Sequence, residues 1–166
     1  MPLFTSKNKS GNRSVNFSMY DGIPSIRQGT AINVTLDDAA NVLSVKERLG
    51  KKGPTTLRLS QICGIDILTE EEIVEQSKSV VGRAAVGGLL LGPLGALVGG
   101  MSGVGSKRKT ESKSYVVINY HPSSAPNDTA VVSFEVVGAS IGYRKFVNDI
   151  RALCHLDNAS AESHTL

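Results

Sequence analysis

The stretch AVVSFEVVGASIGYRKFVNDIRALC, residues 130–154, decides the fold class, because the spacing of its apolar residues changes halfway along. Up to Val137 the pattern is typical of a β-strand, whereas from Tyr143 onward apolar residues recur at intervals of three and four. These residues are Tyr143, Phe146, Val147, Ile150, Leu153 and Cys154. The spacing predicts one amphipathic helix over residues 143–154, with its apolar stripe packed on a sheet.

Six further segments upstream of residue 130 read as strands, which makes seven strands in all. They lie near residues 15–19, 32–36, 42–46, 57–60, 65–67 and 115–120. Polar residues alternate with apolar ones in most of them, as an antiparallel sheet with one solvated face requires. The acidic run 69–75 is interpreted as the end of the fifth strand. The sequence therefore predicts a mainly β fold, a seven-stranded antiparallel bent barrel with the C-terminal helix closing one open end.

Composition sets the outer limits of function. One domain accounts for most of the 166 residues, and a net charge of +3 is too small to name nucleic acid as a partner, so none is expected. Cys63 and Cys154 are expected to be buried, reduced thiols. No apolar segment follows the polar residues 1–13, so no signal peptide is predicted. The domain is expected to cover residues 14–155, and residues 156–166 are interpreted as a flexible tail.

Residues 80–106 form a Gly-rich apolar insertion between the fifth and sixth strands, and residues 84–106 contain no charge. Glycines four apart share one face of a helix and allow two backbones to approach closely, which is the small-xxx-small pattern of helix packing. The insertion has this spacing on two arms, at Gly88 and Gly92 and at Gly95, Gly99 and Gly103, with Pro93 between the arms. The pattern predicts a helical hairpin that turns at Gly92 and Pro93.

Three placements of this insertion are compatible with its sequence: a membrane-inserted hairpin, a hairpin buried in a soluble oligomer, and a disordered Gly-rich loop. A single crossing would separate the first five strands from the last two, so neither part could close a barrel. Arms of about 12 residues reach only about 18 Å, short of the roughly 30 Å hydrocarbon core, which favours a re-entrant hairpin or one packed against other copies. In each case we expect a short turn to replace residues 82–106 without loss of the domain.

Basic residues flank the insertion, at Arg83, Lys107, Arg108 and Lys109. Cations beside a membrane attract anionic headgroups, by about 1 kcal/mol for each Lys or Arg near the surface. These four residues are therefore candidates for contact with an anionic lipid or ligand. The alternative is that the basic group faces the acidic run 70–75 across an antiparallel ladder, which does not exclude a lipid contact.

The sequence predicts no catalytic residue and no metal site. Residues 100–107 place the Ser ahead of the Lys and lack the strand and helix of a phosphate-binding loop. His121, His155 and His164 have no metal-ligand spacing, and the carboxylates at 70–72 have no nucleophile or base beside them. The chain is accordingly predicted to be no enzyme and to carry no metal or cofactor.

Three segments resemble bacterial pleckstrin-homology-like (PH-like) proteins of uncharacterised function: residues 56–62, the Gly-rich block 81–100 and residues 115–120. The resemblance covers about residues 14–155 and implies a PH-like barrel, a fold that serves as a non-enzymatic platform for unrelated ligands.

The insertion and the resemblance together predict a binding or scaffold module that is attached to a membrane or self-associates through the Gly-rich hairpin. The expected partner is a membrane lipid surface, a second copy of the chain, or another protein. The expected location is cytoplasmic, peripheral or re-entrant at the cytoplasmic face of a membrane. Two alternatives stay open: a membrane-perturbing effector whose hairpins assemble into a pore, and a soluble small-ligand receptor.

Overall fold

The computed structural model describes residues 12–77, 89–96 and 112–156. Seven antiparallel strands in these residues form one sheet: β1 Arg13–Asp21, β2 Ala31–Asp37, β3 Val42–Glu47, β4 Thr55–Arg58, β5 Ile62–Thr69, β6 Ser114–Tyr120 and β7 Ala130–Glu135. Their order across the sheet is β4-β3-β2-β1-β7-β6-β5. Helix α1, Glu70–Ser77, follows β5, and helix α2, Tyr143–Leu153, follows β7. The predicted mainly β fold with a C-terminal helix is confirmed. Predictions for residues 1–11 and 157–166 lie outside the described residues.

The alternation seen in the sequence fixes the pairing register of the first strands. Val15 and Phe17 of β1 lie opposite Val34 and Ile32 of β2, and all four side chains are buried. A slip of one residue would turn each of these side chains to the solvated face, so the register is strongly specified.

A short 3-10 turn, Leu59–Gln61, joins the two edge strands β4 and β5. The buried side chains of both halves of the sheet and of α2 form one cluster, the main core. Phe17 lies at its centre, with its ring centroid 5.7 Å from that of Phe134 on β7 and 6.4 Å from that of Phe146 on α2. Since one core draws on both ends of the strand order, the sheet curls around it, as the predicted barrel requires.

Two ion pairs fix helix α2 to the sheet. Near its C-terminus, the Arg151 side chain donates a 3.1 Å hydrogen bond to the Ile65 carbonyl of β5 and forms an ion pair with Asp66. Two residues earlier, Asp149 pairs at 2.5 Å with Arg13, the first residue of β1. Arg151 thus satisfies a backbone acceptor on an edge strand, where an open edge would otherwise invite pairing with another chain.

The structure corrects the prediction for the acidic run. Residues 70–77 form helix α1 rather than a strand end. The Thr69 backbone N–H donates a 2.7 Å hydrogen bond to the Glu72 carboxylate, and the Thr69 hydroxyl accepts a 3.3 Å bond from the Glu72 N–H. This reciprocal pair is a capping box, and carboxylates in a first turn also favour the positive end of the helix dipole. The motif Thr-x-x-Glu before Ile73 is the signal that the strand interpretation missed.

Three smaller expectations differ from the structure. Cys63 is exposed and Cys154 is half-buried, so only the expectation of free thiols holds for both. Leu153 is 39% exposed, which places it at the margin of the buried stripe that Phe146 and Ile150 form. The alternation through residues 57–60 ends at Arg58, because the chain there enters the 3-10 turn that carries it from β4 to β5.

Candidate functional site

The described part of the Gly-rich insertion, residues 89–96, contacts the sheet. We call residues 89–96 the strap and the sheet surface opposite the main core the outer face. Leu89, Leu91 and Leu94 of the strap are buried on the outer face of β5, β6 and β7. They belong to a second cluster, the outer cluster, made of Leu68, Ile73, Leu89, Leu91, Leu94, Tyr115 and Val117. Strand β6 is therefore covered on both sides, since Val116 and Ile118 face the main core.

Asn119 holds the strap by its backbone. The Leu90 N–H donates a 2.6 Å hydrogen bond to the Asn119 side-chain oxygen, and the Asn119 amide donates a 2.9 Å bond to the Leu90 carbonyl. Asn119 is only 3% exposed, and these bonds satisfy a polar group that would be costly to bury alone. The carboxamide thus pairs with one residue of the strap as a neighbouring strand would.

Two glycines shape the path of the strap. A Cβ atom at Gly64 of β5 would lie 2.8 Å from a methyl carbon of Leu89, so the absent side chain makes room for that leucine. Gly92 has a φ of +53°, a backbone conformation that glycine adopts without strain. A Cβ atom at this position would lie 3.3 Å from the Cβ of Val131 on β7. The chain turns there into the 3-10 turn Gly92–Ala96.

Burial in the outer cluster changes the chemistry of its tyrosine. The ring of Tyr115 makes an edge-to-face contact with Tyr20 of β1 at 5.3 Å between centroids. Desolvation is the main reason that the pKa of Tyr115 is raised to about 12, and the nearby Glu135 and Glu70 carboxylates add to it. The phenol is therefore neutral at physiological pH and serves packing.

The structure describes only some of the predicted hairpin residues. Gly92 and Pro93 lie exposed at the turn, and Gly95 lies in the 3-10 turn. Gly88, Gly99 and Gly103 lie outside the described residues. Three leucines of the described part of the insertion, Leu89 and Leu91 in the first arm and Leu94 beside the turn, are buried on the sheet.

The predicted basic contacts, Arg83, Lys107, Arg108 and Lys109, also lie outside the described residues. The described part of this flank includes Lys113, whose ammonium group pairs at 3.1 Å with Glu135 of β7. The Lys113 carbonyl accepts a 2.9 Å hydrogen bond from the Glu70 N–H, so the end of β5 meets the start of β6 at this point.

A second basic group, which the sequence reasoning did not single out, covers the end of β3 and the β3–β4 connection. Residues 46–52, the cationic loop, read Lys-Glu-Arg-Leu-Gly-Lys-Lys. Leu49 at its tip is 98% exposed. Within the described residues none of the four cations, Lys46, Arg48, Lys51 and Lys52, forms an ion pair. The signal is present in the sequence as four basic residues in seven positions around one leucine.

The base of the cationic loop is ordered by the sheet. The Arg48 N–H donates a 3.0 Å hydrogen bond to the Ala31 carbonyl, which extends the β2–β3 ladder by one rung. Glu47, the carboxylate within the loop, is half-buried, whereas Lys51 and Lys52 are exposed. The loop therefore presents a positive and apolar tip from a fixed position.

A groove of about 510 Å³ lies between the end of α2 and the β4–β5 junction, and Arg58, Ser60, Cys154 and His155 are among its lining residues. Burial raises the pKa of the Cys154 thiol to about 11, and its sulfur lies 3.5 Å from the Leu59 carbonyl. A thiol with such a pKa is protonated at neutral pH and is a poor nucleophile. This groove is where the small-ligand alternative would place its ligand.

Neither a metal-binding cluster nor a membrane-spanning helix occurs in the described part of the chain. No group of three or more His, Cys, Asp or Glu side chains in residues 12–77, 89–96 and 112–156 is placed to hold a metal ion. None of the helices in those ranges is both long and apolar enough to cross a membrane.

The sheet order, the closing helix and the Gly-rich segment between β5 and β6 define a PH-like domain. The chain belongs to the family described as glycine zipper containing PH domain, whose sequence model matches residues 24–134, more than half of the chain. A search of curated proteins found no match. The predicted resemblance to PH-like domains is thereby confirmed, and a binding or scaffold module is the class of function that it supports.

Proposed function

We propose that this chain is a non-enzymatic PH-like module that attaches to an anionic membrane surface at the cytoplasmic face and self-associates through its Gly-rich segment. The observation that carries the membrane contact is Leu49, 98% exposed at the tip of the cationic loop. The observation that supports self-association is the four-residue spacing of Gly95, Gly99 and Gly103 in a chain of the glycine-zipper family. The PH-like class is generally non-catalytic, which supports a role in binding.

The energetics favour contact with anionic lipid. Four cations near a charged surface contribute roughly 4 kcal/mol together, and burying a leucine adds about 1.5–3 kcal/mol. A single exposed leucine is common on protein surfaces, so the support for a membrane contact is the combination of Leu49 with the cations beside it. Attachment of one copy by such a tip is reversible, and several copies joined by the zipper attach more firmly.

The position of the strap supports a link between the zipper and the domain. Since Leu89, Leu91 and Leu94 fix the chain to the outer face, the glycines from Gly95 onward start at a defined place on the sheet. Contacts between such segments of different copies therefore bring the domains together. The leucines of the strap are engaged with the sheet, so the membrane contact rests on the cationic loop and on residues beyond the strap.

Flotation with liposomes tests the membrane contact. The full chain is expected to float with vesicles of phosphatidylcholine and phosphatidylglycerol, and to stay at the bottom with phosphatidylcholine alone or in high salt. Leu49→Ser and the pair Lys51→Glu with Lys52→Glu should each reduce flotation severalfold. Ile141→Ser, at a side chain 66% exposed elsewhere on the surface, is the matched control and should float like the parent. Equal flotation with both lipid mixtures would contradict the proposal.

Crosslinking tests self-association, and dye leakage tests the pore-forming alternative. Gly99→Leu is expected to lose crosslinked oligomers while it keeps membrane binding, because it fills a glycine face without removing an apolar residue. Leu97→Gly leaves the four-residue spacing of the glycines intact and should keep the crosslinked oligomers. Release of dye trapped in the anionic vesicles would favour the pore-forming alternative, since an attached module binds without leakage.

A further inference from the structure

The outer cluster is packed like a complex between a sheet and a peptide. We propose that, in the self-associated form, the strap of one copy docks on the outer face of a second copy, so that each domain is completed by its neighbour. This inference rests on the self-association half of the proposed function. Exchange of an identical element between copies is a low-cost route to a dimer, because each domain makes the same contacts with its neighbour's element as with its own.

The outer face is built to receive this occupant. Gly64 leaves the space that Leu89 fills, and Asn119 binds the backbone of the next residue, Leu90. The remaining strap leucines complete the contact against Val117, which is fully buried, and Tyr115, which is 2% exposed. The outer face therefore recognises a segment with leucines at its first, third and sixth residues. The second residue of that segment must have a backbone N–H and carbonyl available for Asn119. A second copy of this chain carries that segment by definition.

The strap is separable from the rest of the fold. None of its residues belongs to the main core, and within the described residues its attachments by hydrogen bonds include a backbone bridge at Leu89 and the two bonds to the Asn119 side chain. Undocking it leaves the barrel and α2 in place, but it uncovers Leu68, Tyr115 and Val117. An uncovered apolar face of this kind is unfavourable in water, and the strap of a neighbour restores the cover.

The chain on either side of the strap is long enough for exchange. Eleven residues, 78–88, separate Ser77 from Leu89, and fifteen, 97–111, separate Ala96 from Ser112. The shorter connection can span roughly 36–40 Å at full extension. A domain of this size has a radius of gyration of about 14 Å, so the outer face of a touching copy lies within reach.

The glycine spacing places the strap where copies would meet. Gly88 precedes it, and Gly99 and Gly103 follow it, so a contact along these glycines brings each strap close to the face of the other copy. In the docked strap Gly92 has a left-handed backbone, which prevents the two arms from forming one continuous helix. Each arm can therefore contact a neighbour while the strap between them stays docked on a sheet.

Disulfide trapping decides between docking within one chain and docking between chains. The background replaces the free thiols, Cys63→Ser and Cys154→Ser, and the test variant adds Gly64→Cys and Leu89→Cys in the full-length chain. These positions are adjacent, because a Cβ at residue 64 would lie 2.8 Å from a Leu89 methyl carbon. If straps are exchanged, oxidation yields disulfide-linked dimers on a non-reducing gel, and adding Gly99→Leu causes loss of most of them.

A mixture of two single variants gives an independent measurement. Chains with Gly64→Cys and Leu89→Ala, the second change giving the new side chain room beside its own strap, are mixed with chains of different mass that carry only Leu89→Cys, so that a disulfide between the two masses joins different copies. The matched control mixes Leu49→Cys with Leu89→Cys and should give at least tenfold less product, because Leu49 lies in the cationic loop and not in the outer cluster.

The outcomes separate the two proposals. Mixed-mass dimers support strap exchange. A disulfide formed within single chains, while amine crosslinking still shows oligomers, overturns the exchange and leaves self-association standing. Absence of oligomers in the parent overturns both proposals. A double variant that forms no disulfide in any species contradicts the docking of Leu89 beside Gly64 and overturns the exchange as well.

Discussion

The two faces of β6 carry cores of different size and origin. Among the described residues, the main core on the inner face has nineteen buried residues drawn from both halves of the sheet and from α2, whereas the outer cluster has seven, three of them from the strap. Most residues of the main core come from strands with regular alternation. Four of the seven in the outer cluster come from segments with no such pattern, namely the strap and α1.

This difference bears on how an apolar run should be interpreted. Leucines and glycines without charge over residues 84–106 have the composition of a membrane segment, yet three of the leucines cover a sheet. The sheet itself contains the signal, because β6 reads Ser-Tyr-Val-Val-Ile-Asn-Tyr and is buried at five consecutive positions. A strand that is apolar on both faces needs a cover on both, so an unassigned apolar segment in the same chain is a candidate for it.

The largest effect is expected in the main core. Phe146→Ala removes a side chain that packs against Phe17, and we expect the free energy of unfolding to fall by about 3–5 kcal/mol, since truncation of a buried aromatic leaves a cavity. Chemical denaturation followed by circular dichroism measures the change. Leu153→Ala, at a position 39% exposed on the same helix, is the control and should cost less than about 1 kcal/mol. Equal midpoints for the two variants would show that the stripe is not the core contact.

A smaller loss is expected on the outer face. Leu94→Ala should lower the free energy of unfolding by about 2–3 kcal/mol, because Leu94 is fully buried but the strap can relax toward the space. Leu49→Ala removes the same atoms from a leucine that is 98% exposed and should change stability by less than about 0.5 kcal/mol. If the two variants unfold alike, the strap does not cover the sheet in solution, and the insertion is separable as its sequence indicates.

Much of the inner face could be predicted from the sequence, because alternation reports which side chains share a face. Seven strands and a C-terminal helix follow from the period of the apolar residues, and the spacing of Phe146 and Ile150 identifies both as buried. Alternation does not report what covers the other face. The contact between Leu94 and the sheet joins residues far apart in the chain, so the pattern of β6 shows that a cover is needed but not which segment supplies it.

Local chemistry that was overlooked accounts for the other differences. The capping box of Thr69 and Glu72 marks a helix start, and it outweighs the strand interpretation of a run of glutamates. Leu49 reads as part of a turn because glycines and a proline follow it, and its exposure depends on the fold. The zipper glycines Gly88, Gly99 and Gly103 remain predictions from spacing alone.

The polar contact on the outer face should have an intermediate effect. Asn119→Ala leaves the Leu90 N–H and carbonyl without their partners in a buried place, and we expect a loss of about 1–3 kcal/mol. Asn127→Ala, at an exposed position of the connection between β6 and β7, is the control and should leave stability unchanged. Faster hydrogen exchange at the Leu90 amide in Asn119→Ala, with no change in β2, would locate the effect in the strap.

The last effect has no consequence at neutral pH and appears only at alkaline pH, where it reports the burial of Tyr115. Its pKa is raised from 10.0 to about 12 mainly by desolvation, so the folded state favours the neutral phenol more than the unfolded state does. The stability that depends on this preference is fully present below pH 10 and is lost as the pH rises through 12. Tyr115→Phe cannot ionise at this position, so its stability should decline less steeply than that of the parent between pH 10 and pH 12.

The comparison of Tyr115→Phe with the parent also separates the ionisation of Tyr115 from that of Cys154. Burial raises the pKa of Cys154 to about 11, and this thiol is present in both proteins, so it cannot cause a difference between them. Ultraviolet absorbance of tyrosinate should show one of the four tyrosines titrating near pH 12 in the parent and losing that step in Tyr115→Phe. Strap variants give a sharper form of the test. In Leu94→Ala the outer face is partly uncovered, so the late step should move toward pH 10, whereas Leu49→Ala should leave it in place. A late step that persists unchanged in Leu94→Ala would mean that Tyr115 owes its burial to α1 and Tyr20 rather than to the strap.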